Sequence, residues 1–105
     1  MSPPSKNERR ETYEQAVREA SAAYSAHMDA LALHPELVLR FDTATVNFNF
    51  IEANMEEGSD YTEFNAANEE WEKARIEMDA ATMTTLTVLM TTQIRVNETY
   101  EDDMA

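Results

Sequence analysis

The chain has no cysteine, a single glycine at Gly58, and three prolines at Pro3, Pro4 and Pro35. Without cysteine there is neither a disulfide framework nor a thiolate metal site. So few turn-forming residues favour a handful of long helices over a meander of short strands. No apolar run approaches the ~20 residues that span a bilayer. The polar opening "MSPPSKNERRE" lacks the apolar stretch of a secretory signal, so a cytoplasmic protein is expected.

Basic residues are also scarce. Across 105 residues the net charge is −13, and it is uneven. Residues 1–40 hold five Lys/Arg against six Asp/Glu, whereas residues 41–105 hold three against fifteen. That imbalance disfavours nucleic acid and anionic membrane as direct partners, and suits a basic protein surface.

What is present is helical periodicity. Ser5 with Glu8 forms a capping box, and Tyr13, Val17, Ala20, Tyr24, His27, Leu31 and His34 then recur at alternating steps of four and three. This predicts a first helix over residues 6–33, interrupted by "HPE" at 34–36, because proline disfavours a helical His34 and suits the start of a new helix. A second helix is read on Leu37, Phe41, Ala44, Phe48, Ile51 and Met55, although "TATVNFNF" also alternates as a strand does. Gly58 suits a helix stop, and Asp60 with Glu63 makes a second capping box. A third helix then follows Phe64, Ala67, Trp71, Ala74, Met78 and Ala81.

The stretch "MTTLTVLMTTQIRV" poses the main ambiguity. From Ala80 to Ile94 no side chain is charged, and nine of the fifteen residues from Thr82 to Val96 are β-branched, six of them threonine. Composition favours a strand. The absence of Gly, Pro or Asn before it favours continuation of the third helix, apolar on two faces because it has two neighbours. The expected fold is therefore all-α: a single domain over 1–105, an antiparallel three-helix bundle whose long third helix runs from 61 to about 98, with flexible ends at 1–5 and 99–105. An α+β fold with short strands near 43–50 and 83–96 is the alternative. Helix one, or another chain, is then needed to cover the uncharged half of helix three.

Chemistry-bearing patterns are few. His27 and His34 lie seven residues apart, about 10 Å along a helix, too far for one metal ion. The calcium-loop pattern D-x-[DN]-x-[DN]-G is absent from "EEGSDYTEFNAANEE". The W-x-G turn of secreted helical hairpins is absent too, since Trp71 is followed by Glu72 and Lys73. No nucleophile, base or Gly-rich loop accompanies the carboxylates, so neither an enzyme nor a cofactor is expected.

The remaining expectation is protein interaction. Met83, Leu86, Leu89, Met90 and Ile94 are the candidates for self-association into a homo-oligomer. Glu56, Glu57, Asp60, Glu63, Glu69 and Glu70 are the candidates for binding a protein partner with a basic surface. Between Glu52 and Asp79 there are ten acids and two bases. Folded about Gly58 they amount to about one negative charge per 3 Å, near the phosphate spacing of one DNA strand. A small phage-type inhibitor, or a DNA mimic occupying a nucleic-acid-binding groove, fits that density. A structural component of a larger assembly, such as a virion or secretion apparatus, is the alternative.

Overall fold

A computed structural model describes residues 2–105 and contains four α-helices: α1 (Lys6–Ala32), α2 (Pro35–Ala53), α3 (Thr62–Ala81) and α4 (Met83–Met104). Residues 43–50 and 83–96 are helical, and the described residues include no strand. The three-helix expectation is corrected to four, because the long third helix breaks at Thr82. Residues 99–104, expected as a loose end, are the last turns of α4.

Threonine chemistry explains both the helicity and the break. In α4 the hydroxyls of Thr91, Thr92 and Thr99 donate to the carbonyls of Thr87, Val88 and Arg95, each four residues back, at 2.8–2.9 Å. Each β-branched side chain thus satisfies its own polar atom on the helix instead of competing with it. The same back-bonding bends helices. At Thr82 the hydroxyl donates to the Met78 carbonyl at 2.9 Å, and the backbone N–H is shared between the Met78 and Asp79 carbonyls. The backbone opens there to φ −118°, ψ 22°, and α4 begins one residue later.

The other boundaries follow local rules. The Ser5 hydroxyl accepts the Glu8 N–H at 3.1 Å. His34 leaves the helical region at φ −129°, ψ 57°, with Pro35 opening α2. Gly58 takes φ +84°, the left-handed conformation that its missing Cβ permits. Asp60 does not form the expected capping box. Its carboxylate accepts the Thr62 N–H at 2.9 Å and the Thr62 hydroxyl at 2.7 Å, closing a short turn around the N-cap Tyr61.

The helices gather into two compact units: Leu31–Thr82, and the chain up to Ala30 together with Met83–Ala105. In the first, α2 and α3 form an antiparallel hairpin. Ala44, Ala67 and Ala74 are its buried small residues, and Phe41 and Phe48 lie against Trp71, and Phe48 against Phe64. In the second, α1 and α4 run antiparallel. Arg10 pairs with Asp103 at 2.9 Å, Tyr13 rests on Tyr100 with ring centroids 5.8 Å apart, and His27 Nδ1 lies 3.0 Å from the Thr85 hydroxyl. Ala16, Ala23 and His27 are buried along this line. Helix one therefore covers one side of the uncharged stretch.

These cores are shallow. Every apolar residue that is buried among the described residues is an alanine, and no large side chain is fully enclosed. Two helices have one contact line between them, so apolar residues beyond that line remain in solvent.

Candidate interaction surfaces

At 100° per residue, the α4 positions facing α1 are Thr85, Thr92, Thr99 and Asp103. To one side of them the helix is apolar over a wide arc. Leu89 and Val96, with Gln93, border a groove whose other wall is Val17, Ala20 and Tyr24 of α1. Farther around, Met83, Met90 and Ile94 are 53%, 58% and 57% exposed, at the 7- and 4-residue spacings of a single stripe. Leu86 is half-buried between the two groups. Thus the five candidate residues for self-association share one face: Leu86 and Leu89 lie nearer α1, and the other three form the outer edge.

The face has an α1 half that the periodicity argument did not assign to association. Val17, Tyr24 and Met28 are exposed and point the same way as Leu89 and Val96. The available signal was the step pattern Val17–Tyr24–Met28, a second stripe rotated from the buried Ala16–Ala23–His27 line. The opposite side of this unit is polar, with Glu8, Glu11, Gln15 and Glu19 of α1 near Arg95 of α4. From Ala20 to Met28 on α1 and from Ala80 to Ile94 no Lys, Arg, Asp or Glu occurs. Covering the apolar face therefore strips water from no ionised side chain of those two stretches.

The acidic candidates belong to the other unit and do not form one patch. Glu56, Glu57, Asp60, Glu63, Glu69 and Glu70 are all exposed, but two have prior commitments. Asp60 holds Thr62, which lowers its carboxyl below the ordinary 3.8, first through the side-chain hydroxyl and then through the backbone N–H. Glu70 accepts from Arg40 at 3.0 Å, and the same guanidinium also pairs with Glu77. By helical spacing Glu63, Glu70 and Glu77 share a flank of α3, so Glu77 belongs to this row although the spacing argument omitted it. Glu69 lies about 100° away from Glu70, on the outer face. On the other flank Glu72 and Asp79 hold Arg75 at 2.8 and 3.3 Å, with its guanidinium 5.8 Å from the Trp71 ring centre. The hydrogen bond to Glu72, and then its charge, raises the Arg75 pKa above its ordinary value.

Among the described residues no group of three or more His, Asp or Glu is placed to hold a metal ion, and no helix is long and apolar enough to cross a membrane. Comparison of the chain with protein-family models, curated proteins and solved structures gives no match.

Proposed function

We propose that this chain is a non-catalytic helical interaction protein that self-associates through the apolar face of the α1/α4 unit. One observation carries the reading: Met83, Met90 and Ile94 are each more than half exposed on a face whose central stretch has no charge. Burying a side chain of this size contributes roughly 1.5–3 kcal/mol. A second copy offering the same face supplies that burial at no cost in desolvated charge. The test is light scattering on the eluting protein at low and moderate salt. Multimers of the 12.0 kDa chain are expected, and Met90→Asp is expected to reduce their mass. A monomeric wild type, or an unchanged mass in the variant, would rule the reading out.

A second role is proposed for the α2/α3 hairpin, which binds a protein partner with a basic surface. The supporting observation is the division of charge. Residues 31–82 hold three bases against twelve acids, while the other unit holds five against nine. Glu56, Glu57, Glu63 and Glu69 are the acids expected to meet the partner, because Asp60 and Glu70 already have internal roles. Reversing three of those four charges is expected to abolish capture of a basic partner. Intact capture would refute this second role.

A further inference from the structure

Folded proteins leave few buried polar atoms without a partner. Among the described residues two side-chain atoms are in that position, Arg9 Nε and Asp103 Oδ1. One is a donor and the other an acceptor, and both lie at the same end of the α1/α4 unit. By heptad spacing Arg9 stands on the line of Ala16 and Ala23, so an arginine occupies the first place of the buried line of α1. Its guanidinium joins none of the ion pairs among the described residues. Its hydrogen bond from Nη1 to the Pro4 carbonyl is long, at 3.3 Å. The Asp103 side chain is 4% exposed; Oδ2 holds Arg10 at 2.9 Å, and Oδ1 is left over.

Arg9 borders a cleft of about 380 Å³, together with Pro4 and Thr12 on the α1 side and Thr99 and Asp102 on the α4 side. The Thr12 and Thr99 hydroxyls already donate to the Glu8 and Arg95 carbonyls, so their oxygens remain as acceptors. The lining is thus a guanidinium on one side, and a carboxylate with hydroxyl oxygens on the other. Asp103, one residue beyond Asp102, adds a second carboxylate at this end. The helix ends carry the same two signs, since the free N–H groups of the first turn of α1 stand beside the free carbonyls of the last turn of α4. A simple anion would meet the repulsion of Asp102, and a simple cation that of Arg9. A molecule that carries both charges a few bonds apart meets neither.

We infer that this cleft binds a small zwitterion, a molecule with one carboxylate and one protonated amine, of about the size of an amino acid. The carboxylate takes the Arg9 N–H groups, Nε among them once the side chain turns into the cleft. The ammonium donates to Asp102 and to the two threonine oxygens. Pairing of arginine with a carboxylate is charge-assisted and bidentate, the stronger class of hydrogen bond. The cleft volume lies toward the lower end of the range for small-molecule sites. The site needs no second copy and stands apart from both association surfaces.

The test is an NMR titration of the isotope-labelled chain with glycine, β-alanine and γ-aminobutyrate, which set the two charges at increasing separation. Acetate, methylammonium and glycine betaine are the controls; betaine has both charges and no N–H to donate. Saturable shifts are expected at Arg9, Thr12, Thr99 and Asp102 with at least one of the three amino-carboxylates, and the Arg9 Nε–H resonance is expected to move with them. Each control is expected to bind about tenfold or more weakly, as are the amino-carboxylates to Arg9→Gln and Asp102→Asn. Circular dichroism is expected to show wild-type helicity in both variants. No saturable shift with any of the three, or acetate binding as tightly as they do, overturns the proposal. So does an Arg9 Nε–H resonance that none of them moves, the result expected if Arg9 donates directly to Asp103. Unchanged affinity in a helical Arg9→Gln chain overturns it as well.

Discussion

The Trp71 indole N–H donates to the Thr45 hydroxyl at 2.9 Å, and that hydroxyl in turn donates to the Phe41 carbonyl at 2.8 Å. One threonine thus ties the largest side chain of α3 to the backbone of α2. It also satisfies an indole that is half-buried between Phe41 and Phe48. Thr45→Val keeps the shape and removes the acceptor. The variant is expected to lose about 1 kcal/mol of stability, with an altered Trp71 emission maximum in the folded state. Urea unfolding followed by tryptophan fluorescence measures both. Wild-type stability in Thr45→Val would mean that the indole is satisfied by solvent instead.

The acid-side behaviour of the α2–α3 turn follows from Asp60. The bonds from Thr62 hold its folded-state pKa below the ordinary 3.8. Its contribution is therefore fully present above that ordinary value, and is lost as pH falls through the lower, folded-state value. Carbon-detected NMR titration of the carboxyl groups is expected to give Asp60 a midpoint below 3.8 in the folded chain, and Thr62→Ala is expected to move it upward. A midpoint at or above 3.8 in the wild type contradicts the turn geometry.

The buried line of α1 is made of small side chains and His27. Ala16 is 1% exposed and Ala23 is also buried, so neither position has open space for a larger side chain. Ala16→Leu is expected to cost about 1–3 kcal/mol by forcing the pair apart. Ala22→Leu, on the exposed side of α1, is expected to stay within about 0.5 kcal/mol of wild type. Urea unfolding of the two variants side by side checks the contrast, and equal losses would place the contact line elsewhere on α1.

Much of the secondary structure was legible from residue pattern alone. The first helix was expected at 6–33 and spans Lys6–Ala32; Pro35 opens α2, and Gly58 takes the positive φ that its position suggested. The break at Thr82 was not legible, because it comes from hydroxyl-to-backbone bonding within a threonine-rich run and not from glycine or proline. The "TATVNFNF" alternation resembles a strand for a related reason, although the segment is helical as expected. Val46 and Phe50 lie on the exposed side of α2 and Phe48 on the side facing α3, so a helix with two apolar sides imitates the period of a strand. Among the candidate sites, helical spacing places Met83, Leu86, Met90 and Ile94 on one stripe and Leu89 beside it, toward α1. It could not show that Asp60 and Glu70 are engaged by Thr62 and Arg40, since those bonds depend on a turn conformation and on the pairing of α2 with α3.

Alanine cores also have a calorimetric consequence. The heat-capacity increment of unfolding tracks the apolar area newly hydrated, typically about 12–15 cal/mol/K per residue. A chain in which none of the described large side chains is fully buried has less such area to release when it melts alone. Its stability curve is correspondingly flat, and cooling or warming by tens of degrees changes it little. When copies associate through the exposed methionine and isoleucine side chains, the increment rises toward ordinary values and the melting temperature climbs with protein concentration. The dilution dependence of the melting transition thus reports how far the hydrophobic interior of this protein is built from more than one chain.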